Sequence, residues 1–169
     1  NLIMDNLIAD GKIEPFIIVM TYGLTNEQRL GIEGVTSADF EKVLCDELVP
    51  YIDSHFRTKA DKFSRAMAGL SMGGGETHTI TLARPEVFGY YGLLSGGVYT
   101  PDEIKDPKQV RGIFIGCGSK ESAERTLKAA EDLKKAGFQN VKGYVSEGTA
   151  HEFLTWRRCL KEMAPMLFK

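Results

Sequence analysis

Gly69-Leu70-Ser71-Met72-Gly73 carries the clearest chemical signal in the chain. This Gly-x-Ser-x-Gly run follows the apolar stretch Ser64-Arg65-Ala66-Met67-Ala68 and precedes a helix-like stretch. A serine on a sharp strand-to-helix turn is lifted clear of the backbone, where both a base and a substrate reach it. Glycines at 69 and 73 are expected there because side chains would collide across the tight turn. A serine hydroxyl is nevertheless a weak nucleophile at neutral pH. It needs a base to take its proton, and the base needs a carboxylate to fix its tautomer and stabilise its charged form.

The chain offers three histidines for that base. His55 lies near the end of a helix pattern beside Phe56 and Arg57 and reads as a surface or cap residue. His78 falls seven residues beyond Ser71 on the following helix, where it points along the helix and reads as structural or as a pocket wall. His151 sits in the loop Glu147-Gly148-Thr149-Ala150-His151 after the last strand, the place of the base in the chain order serine, acid, histidine. The acid is expected in the loop after the strand ending at Cys117, where Glu121 is the first carboxylate. Glu121 also suits a first-turn acid that favours the helix dipole. Glu124 lies one turn further on, and Asp102 and Asp106 follow the previous strand, a less usual place. The amide of Met72 is placed to donate to the oxyanion of a tetrahedral intermediate. A second donor normally comes from a loop after an earlier strand, often His-Gly-Gly-like, and this sequence has no such segment.

These residues need a scaffold, and 169 residues provide for one domain with a substantial core. A net charge of −2 gives no electrostatic reason to expect nucleic acid or an anionic membrane as a partner. No apolar run is long enough to span a bilayer as a helix. Cys45, Cys117 and Cys159 are odd in number and widely spaced, which argues against a disulfide framework and against a zinc site. Cys117 and Cys159 read as small buried apolar residues. No metal and no organic cofactor is expected. The chain opens at Asn1 inside an amphipathic pattern and reads as cut from something longer.

Strands are predicted at Phe16–Met20, Ser64–Leu70, Tyr90–Ser95, Gly112–Cys117 and Val141–Ser146. Helices are predicted over residues 2–10, from Ser37 or Thr36 to Phe56 with an interruption at Pro50, and over Gly73–Ala83, Ala123–Ala136 and Glu152–Leu167. Thr21–Ser37 and Ser95–Val110 read as loops that shape a pocket. Strand and helix alternate with crossovers long enough for a helix, which is the pattern of a mostly parallel sheet covered on both faces. Working residues in such sheets lie after the carboxyl ends of strands, where Ser71 and the loops at Gly118 and Glu147 fall.

Several segments together resemble the feruloyl esterases of carbohydrate esterase family one. They are Asp5–Ile13, Pro15–Val19, Arg65–Gly75, Cys117–Glu121 and the ending Gly148-Thr149-Ala150-His151-Glu152-Phe153 with Trp156. The resemblance implies an α/β-hydrolase fold without metal or cofactor, hydrolysing ferulate or acetate esters on plant arabinoxylan. It implies a secreted or cell-surface enzyme, often one module of a larger xylan-degrading protein. Ser71 then matches the family nucleophile and His151 its base, while Glu121 stands where the family usually has aspartate. The family's amino-terminal strands, including the one ending in the oxyanion loop, have no counterpart in this sequence. One of them belongs between Phe16–Met20 and Ser64–Leu70, and without it buried backbone groups would lose their partners. Residues 1–169 are therefore expected to be the carboxyl-terminal portion of one esterase domain, completed by an amino-terminal segment.

The leading expectation is a serine carboxylesterase acting on hydroxycinnamoyl or acetyl esters of xylan, with Tyr22, Tyr99 and Trp156 as residues that either flank an aromatic acid or pack. An esterase for small acyl groups or thioesters, of the esterase D type, uses the same chemistry. From a different class, an esterase-like module that binds glycan without catalysis would not require serine, histidine and acid together.

Overall fold

The computed structural model describes residues 2–25, 30–33 and 37–169. Its contacts fall into two units, residues 1–15 with 62–169, and residues 16–61.

The first unit is built on four parallel strands: β1 (Ala66–Leu70), β2 (Tyr90–Leu94), β3 (Gly112–Gly118) and β4 (Val141–Ser146), ordered 1-2-3-4 across the sheet. The register runs from Leu70 against Leu94 to Gly118 against Ser146, so the carboxyl ends of all four strands lie at one rim, β3 and β4 reaching two residues beyond β1 and β2. β2 and β3 are buried along their whole length. That agrees with their near-continuous apolar sequences, because the central strands of a covered parallel sheet have no wet face.

Helix α1 (Leu2–Ala9) packs against the last helix, and helices α4 (Met72–Ala83), α5 (Ala123–Lys135) and α6 (Phe153–Met163) follow β1, β3 and β4. Leu94 and Phe114 pack with Cys159 and Met163 of α6. On the opposite face Cys117 meets Thr126 of α5, and Tyr91 meets Tyr99, whose hydroxyl reaches Thr81 of α4. Alternate residues of the strands thus serve helices on both faces. The crossover from β2 to β3 has no α-helix. It runs through two 3-10 turns, Pro101–Glu103 and Pro107–Gln109. Pro101 is preceded by a Thr100–Glu103 capping box, and the Pro107 turn is capped by Asp106. Both prolines thus stand where a missing N–H costs nothing.

The second unit contains α2 (Ser37–Lys42), a π-helical turn at Val43–Leu48 and α3 (Val49–His55). The predicted interruption at Pro50 takes the form of a change of helical register. The Val49 N–H reaches back to the Leu44 carbonyl, and this wider turn lies directly before the proline ring. In unbroken α-geometry the ring would press on the carbonyl of Asp46. Thr36, a candidate cap, and residues 26–29 and 34–36 of the expected loop lie outside the described residues.

The strand expected at Phe16–Met20 does not form. Ile17, Ile18 and Val19 are half-exposed and Met20 is almost fully exposed. An apolar run of strand length becomes a strand only where a neighbour takes up its N–H and C=O groups, and no ladder among the described residues does so. β1 correspondingly pairs only with β2 among the described residues.

Candidate active site

Ser71 lies between the last residue of β1 and the first of α4 with φ 54° and ψ −118°, a conformation non-glycine residues rarely adopt. Its N–H donates to the Leu94 carbonyl (2.9 Å), and its own carbonyl accepts from Gly74 and Gly75 at 3.0 and 3.2 Å. A Cβ at Gly69 would fall onto the Gly73 carbonyl, so Gly69 is sterically required. Gly73 differs from expectation: a Cβ there would meet nothing. The requirement lies one residue on, at Gly74, whose Cβ would stand 2.6 Å from the Gly96 Cα. The start of α4 and the loop after β2 cross here backbone to backbone. Met72 opens α4, and a first-turn N–H has no acceptor within its own helix.

His151 and Glu121 occupy loops after β4 and β3 that are bonded to each other at several points. Ser119 and Lys120 donate their backbone N–H groups to the carbonyls of Ser146 and Thr149 at 2.9 and 3.0 Å. The Gly148 N–H returns a bond to Ser119 Oγ at 2.9 Å. From below, Thr155 of α6 donates to the Ala150 carbonyl (2.5 Å) and Arg158 to the Glu147 carbonyl (2.9 Å).

The three side chains meet at the sheet's carboxyl rim. His151 Nε2 is 2.8 Å from Ser71 Oγ, across eighty residues of sequence, and His151 Nδ1 is 2.8 Å from Glu121 Oε1, across thirty. The other oxygen, Glu121 Oε2, accepts from the Gly118 N–H (2.7 Å) and from Ser95 Oγ (2.8 Å). Partial burial pushes the Glu121 carboxyl up, but the hydrogen bonds from Gly118, His151 and Ser95 outweigh it and hold the group below its ordinary value. An ionised carboxylate only accepts, so His151 Nδ1 is the donor. The neutral ring then presents Nε2 as an acceptor to the Ser71 hydroxyl. The His151 side chain remains 48% exposed while that of Glu121 is 16% exposed, so the imidazole faces solvent and the carboxylate stands behind it.

The competing carboxylates are elsewhere. Asp106 accepts from the Lys108 N–H, and Asp102 and Glu124 are exposed. α5 begins at Ala123, so Glu121 precedes the helix and does not belong to its first turn. His78 pairs with Glu103 at 3.1 Å and stacks on Tyr99, and His55 bonds the Tyr51 carbonyl at 2.8 Å.

The three aromatic candidates separate. Tyr99 is completely buried, with its hydroxyl 2.6 Å from Thr81 Oγ1, so it packs the core and flanks no substrate. The phenol closes over α4, where Thr81 satisfies it. Tyr22 is exposed and belongs to the second unit. Trp156 stands edge-on to His151, ring centroids 5.1 Å apart, and its indole N–H donates to Ser95 Oγ at 3.1 Å. Ser95 escaped the sequence reading, its only signal being its position directly after β2. Among the described residues no group of three or more His, Cys, Asp or Glu is gathered as a metal site, and no helix is long and apolar enough to cross a membrane.

The model of the Esterase family matches residues 2–166. An endo-1,4-beta-xylanase/feruloyl esterase of Xylanibacter ruminicola is 68% identical over 169 residues, covering 99% of this chain and 23% of that protein. The chain thus spans under a quarter of the relative's length. The feruloyl esterase module of Clostridium thermocellum, solved as a mutant with sinapinate, superposes with a TM-score of 0.73 at 19% identity, over 98% of this chain and 68% of that one. An enterobactin esterase of Shigella flexneri superposes with a TM-score of 0.69 at 19% identity, over 96% of this chain and 46% of that one. At such identities the likeness is one of fold, and the fold is that of an α/β hydrolase.

Proposed function

Since the chain belongs to the Esterase family, we propose that Ser71, His151 and Glu121 are the nucleophile, base and acid of a serine esterase whose substrates are feruloyl esters of xylan. The observation that carries this reading is the pair of 2.8 Å contacts joining the three side chains in the order serine, histidine, carboxylate. Core packing alone gives no reason for that order on a half-exposed imidazole.

In this mechanism Ser71 Oγ attacks the ester carbonyl while His151 Nε2 takes its proton. The Glu121 carboxylate stabilises the imidazolium that results. Charge accumulates on the former carbonyl oxygen, and the Met72 N–H at the head of α4 donates to it, aided by the positive end of the helix dipole. Collapse expels the alcohol, which leaves with the proton from His151, and the acyl group stays on Ser71. Water then attacks the acyl-enzyme, giving its proton to His151, and the carboxylic acid departs as Ser71 is restored.

Two features favour an aromatic acyl group. Phe153 is 73% exposed and meets Trp156 edge-to-face at 5.1 Å, which sets an apolar aromatic wall beside the base. The close relative's name also contains both the xylanase and the feruloyl esterase activity. Xylan does not cross a bilayer, so the reading goes with a secreted or cell-surface enzyme. We further propose that residues 1–169 are the carboxyl-terminal portion of an esterase domain whose second oxyanion donor comes from an amino-terminal segment. The one-sided pairing of β1 among the described residues and the 68% coverage of the solved feruloyl esterase module support this.

The test is hydrolysis of methyl ferulate, p-nitrophenyl acetate and acetylated xylan by the full-length protein and by Ser71→Ala. Release of ferulate by the wild type alone is expected. Acetate release without ferulate release would move the assignment to an acetyl or small-acyl esterase. Glycan binding with equal, background hydrolysis by both proteins would make the domain a binding module.

A further inference from the structure

We infer that Ser95 is a positioning residue for the acid, held in place by Trp156, so that the working array runs Trp156–Ser95–Glu121–His151–Ser71. The inference rests on the triad reading above and adds two members that act through Glu121.

The geometry assigns every proton. An indole N–H only donates, so Ser95 Oγ accepts from Trp156 Nε1 at 3.1 Å. The Ser95 hydroxyl hydrogen then goes to the remaining neighbour, Glu121 Oε2, at 2.8 Å. With the Gly118 N–H on the same oxygen at 2.7 Å, Oε2 is fully engaged and Oε1 is left facing His151 Nδ1. A glutamate has one more rotatable bond than an aspartate and needs this second anchor to present one oxygen reproducibly.

The Ser95 backbone points the same way. Its φ is 51°, the left-handed region where a side chain is disfavoured, and it directly precedes Gly96 and Gly97. A glycine would fit the local chain more easily. The Ser95 N–H bonds the Gly116 carbonyl at 2.7 Å whatever the side chain, so the sheet does not need the serine. What the serine adds to the structure is the hydroxyl between the indole and the carboxylate.

Ser95→Gly separates positioning from packing, because it relaxes the backbone while deleting the hydroxyl. In the full-length protein its thermal midpoint is expected to equal or exceed that of the wild type. Its kcat for methyl ferulate should fall about tenfold with KM unchanged, the scale of one hydrogen bond to a charged group. Ser95→Ala should lose as much kcat. Trp156→Phe, which keeps a ring and loses the N–H, should cost about threefold in kcat alone and nothing further in the Ser95→Gly background. A proton spectrum supplies a readout independent of turnover. The His151 Nδ1–H resonance, assigned by its loss in Glu121→Gln, should broaden or move upfield in Ser95→Gly. Wild-type kcat and an unmoved resonance in Ser95→Gly would overturn the inference, as would a loss confined to KM. If the wild type hydrolyses no ester, the triad reading fails, and the resonance alone decides whether Ser95 positions the acid.

Discussion

Ser71, the proposed nucleophile, and its proposed partners Glu121 and His151 are held in place by a different balance of means. Ser71 directly follows β1, which pairs on one side only among the described residues, and besides its backbone bonds to Leu94, Gly74 and Gly75 its position is set by sterics: a strained φ, a glycine that admits no Cβ at 69, and a backbone crossing at Gly74. Glu121 and His151 follow the neighbouring strands β3 and β4, and their loops are fixed by hydrogen bonds: Lys120 to Thr149, Gly148 to Ser119, and Thr155 and Arg158 from beneath. Sterics thus predominate at the elbow and hydrogen bonds at the loops of Glu121 and His151, where one steric position also occurs: a Cβ at Gly118 would stand 2.5 Å from the Thr149 carbonyl oxygen. The first kind of positioning is all-or-none, whereas the second is graded and divisible among several contacts.

The comparison yields tests in descending size. Ser71→Ala should lower kcat by about 10⁴-fold or more with the fold intact, checked by turnover and circular dichroism. Glu121→Gln keeps the shape of the acid but changes its hydrogen bonding, and should cost about 10³-fold in kcat. A loss as complete as that of Ser71→Ala would make the acid loop as all-or-none as the elbow. Gly74→Ala should destabilise by about 2–4 kcal/mol, read as a lowered denaturant midpoint, because the methyl would meet backbone and no side-chain rotation can relieve it. Gly73→Ala, where the space is open, should stay within about 0.5 kcal/mol of the wild type. Equal effects at 73 and 74 would break the steric account of the elbow.

The smallest effect expected is on acid stability. The folded Glu121 carboxyl lies below its ordinary value of 4.5, so its contribution is fully present above that pH and is lost as pH falls through the folded value. Glu121→Gln should therefore flatten the fall of unfolding free energy below about pH 4.5. A carboxylate this well bonded that left the acid limb unchanged would sharpen the contrast from the other side: its loop would be held by the backbone bonds alone.

This division also explains what was legible in the sequence. Steric rules are local, so the elbow could be read from five consecutive residues, with only the reason for Gly73 misplaced by one position. That His151 would come to Ser71 was legible from chain order. Glu121 stood first among four carboxylates, but the choice is made by the Gly118 N–H and by Ser95, and the second of these lies on another loop. The Trp156 ring was noticed for its apolar surface, whereas its N–H turns out to be committed to Ser95. For Tyr99 the choice between flanking an acid and packing was not legible, because its partner, Thr81, comes from a helix eighteen residues earlier. The failed strand at Phe16–Met20 has the same origin: an apolar run states that it can pair, and only a neighbour decides that it does.

The crossing of Gly74 and Gly96 gives the site a common datum. Gly74 lies three residues beyond Ser71, and Gly96 directly follows Ser95, which is bonded to Glu121. Ser71 and the Ser95 anchor of Glu121 thus flank one point of contact, which ties the loops after β1 and β2 to each other directly as well as through the sheet. A methyl at either glycine would therefore push on both loops at once, so the spacing of Ser71 from Ser95 depends on two side chains that are not there.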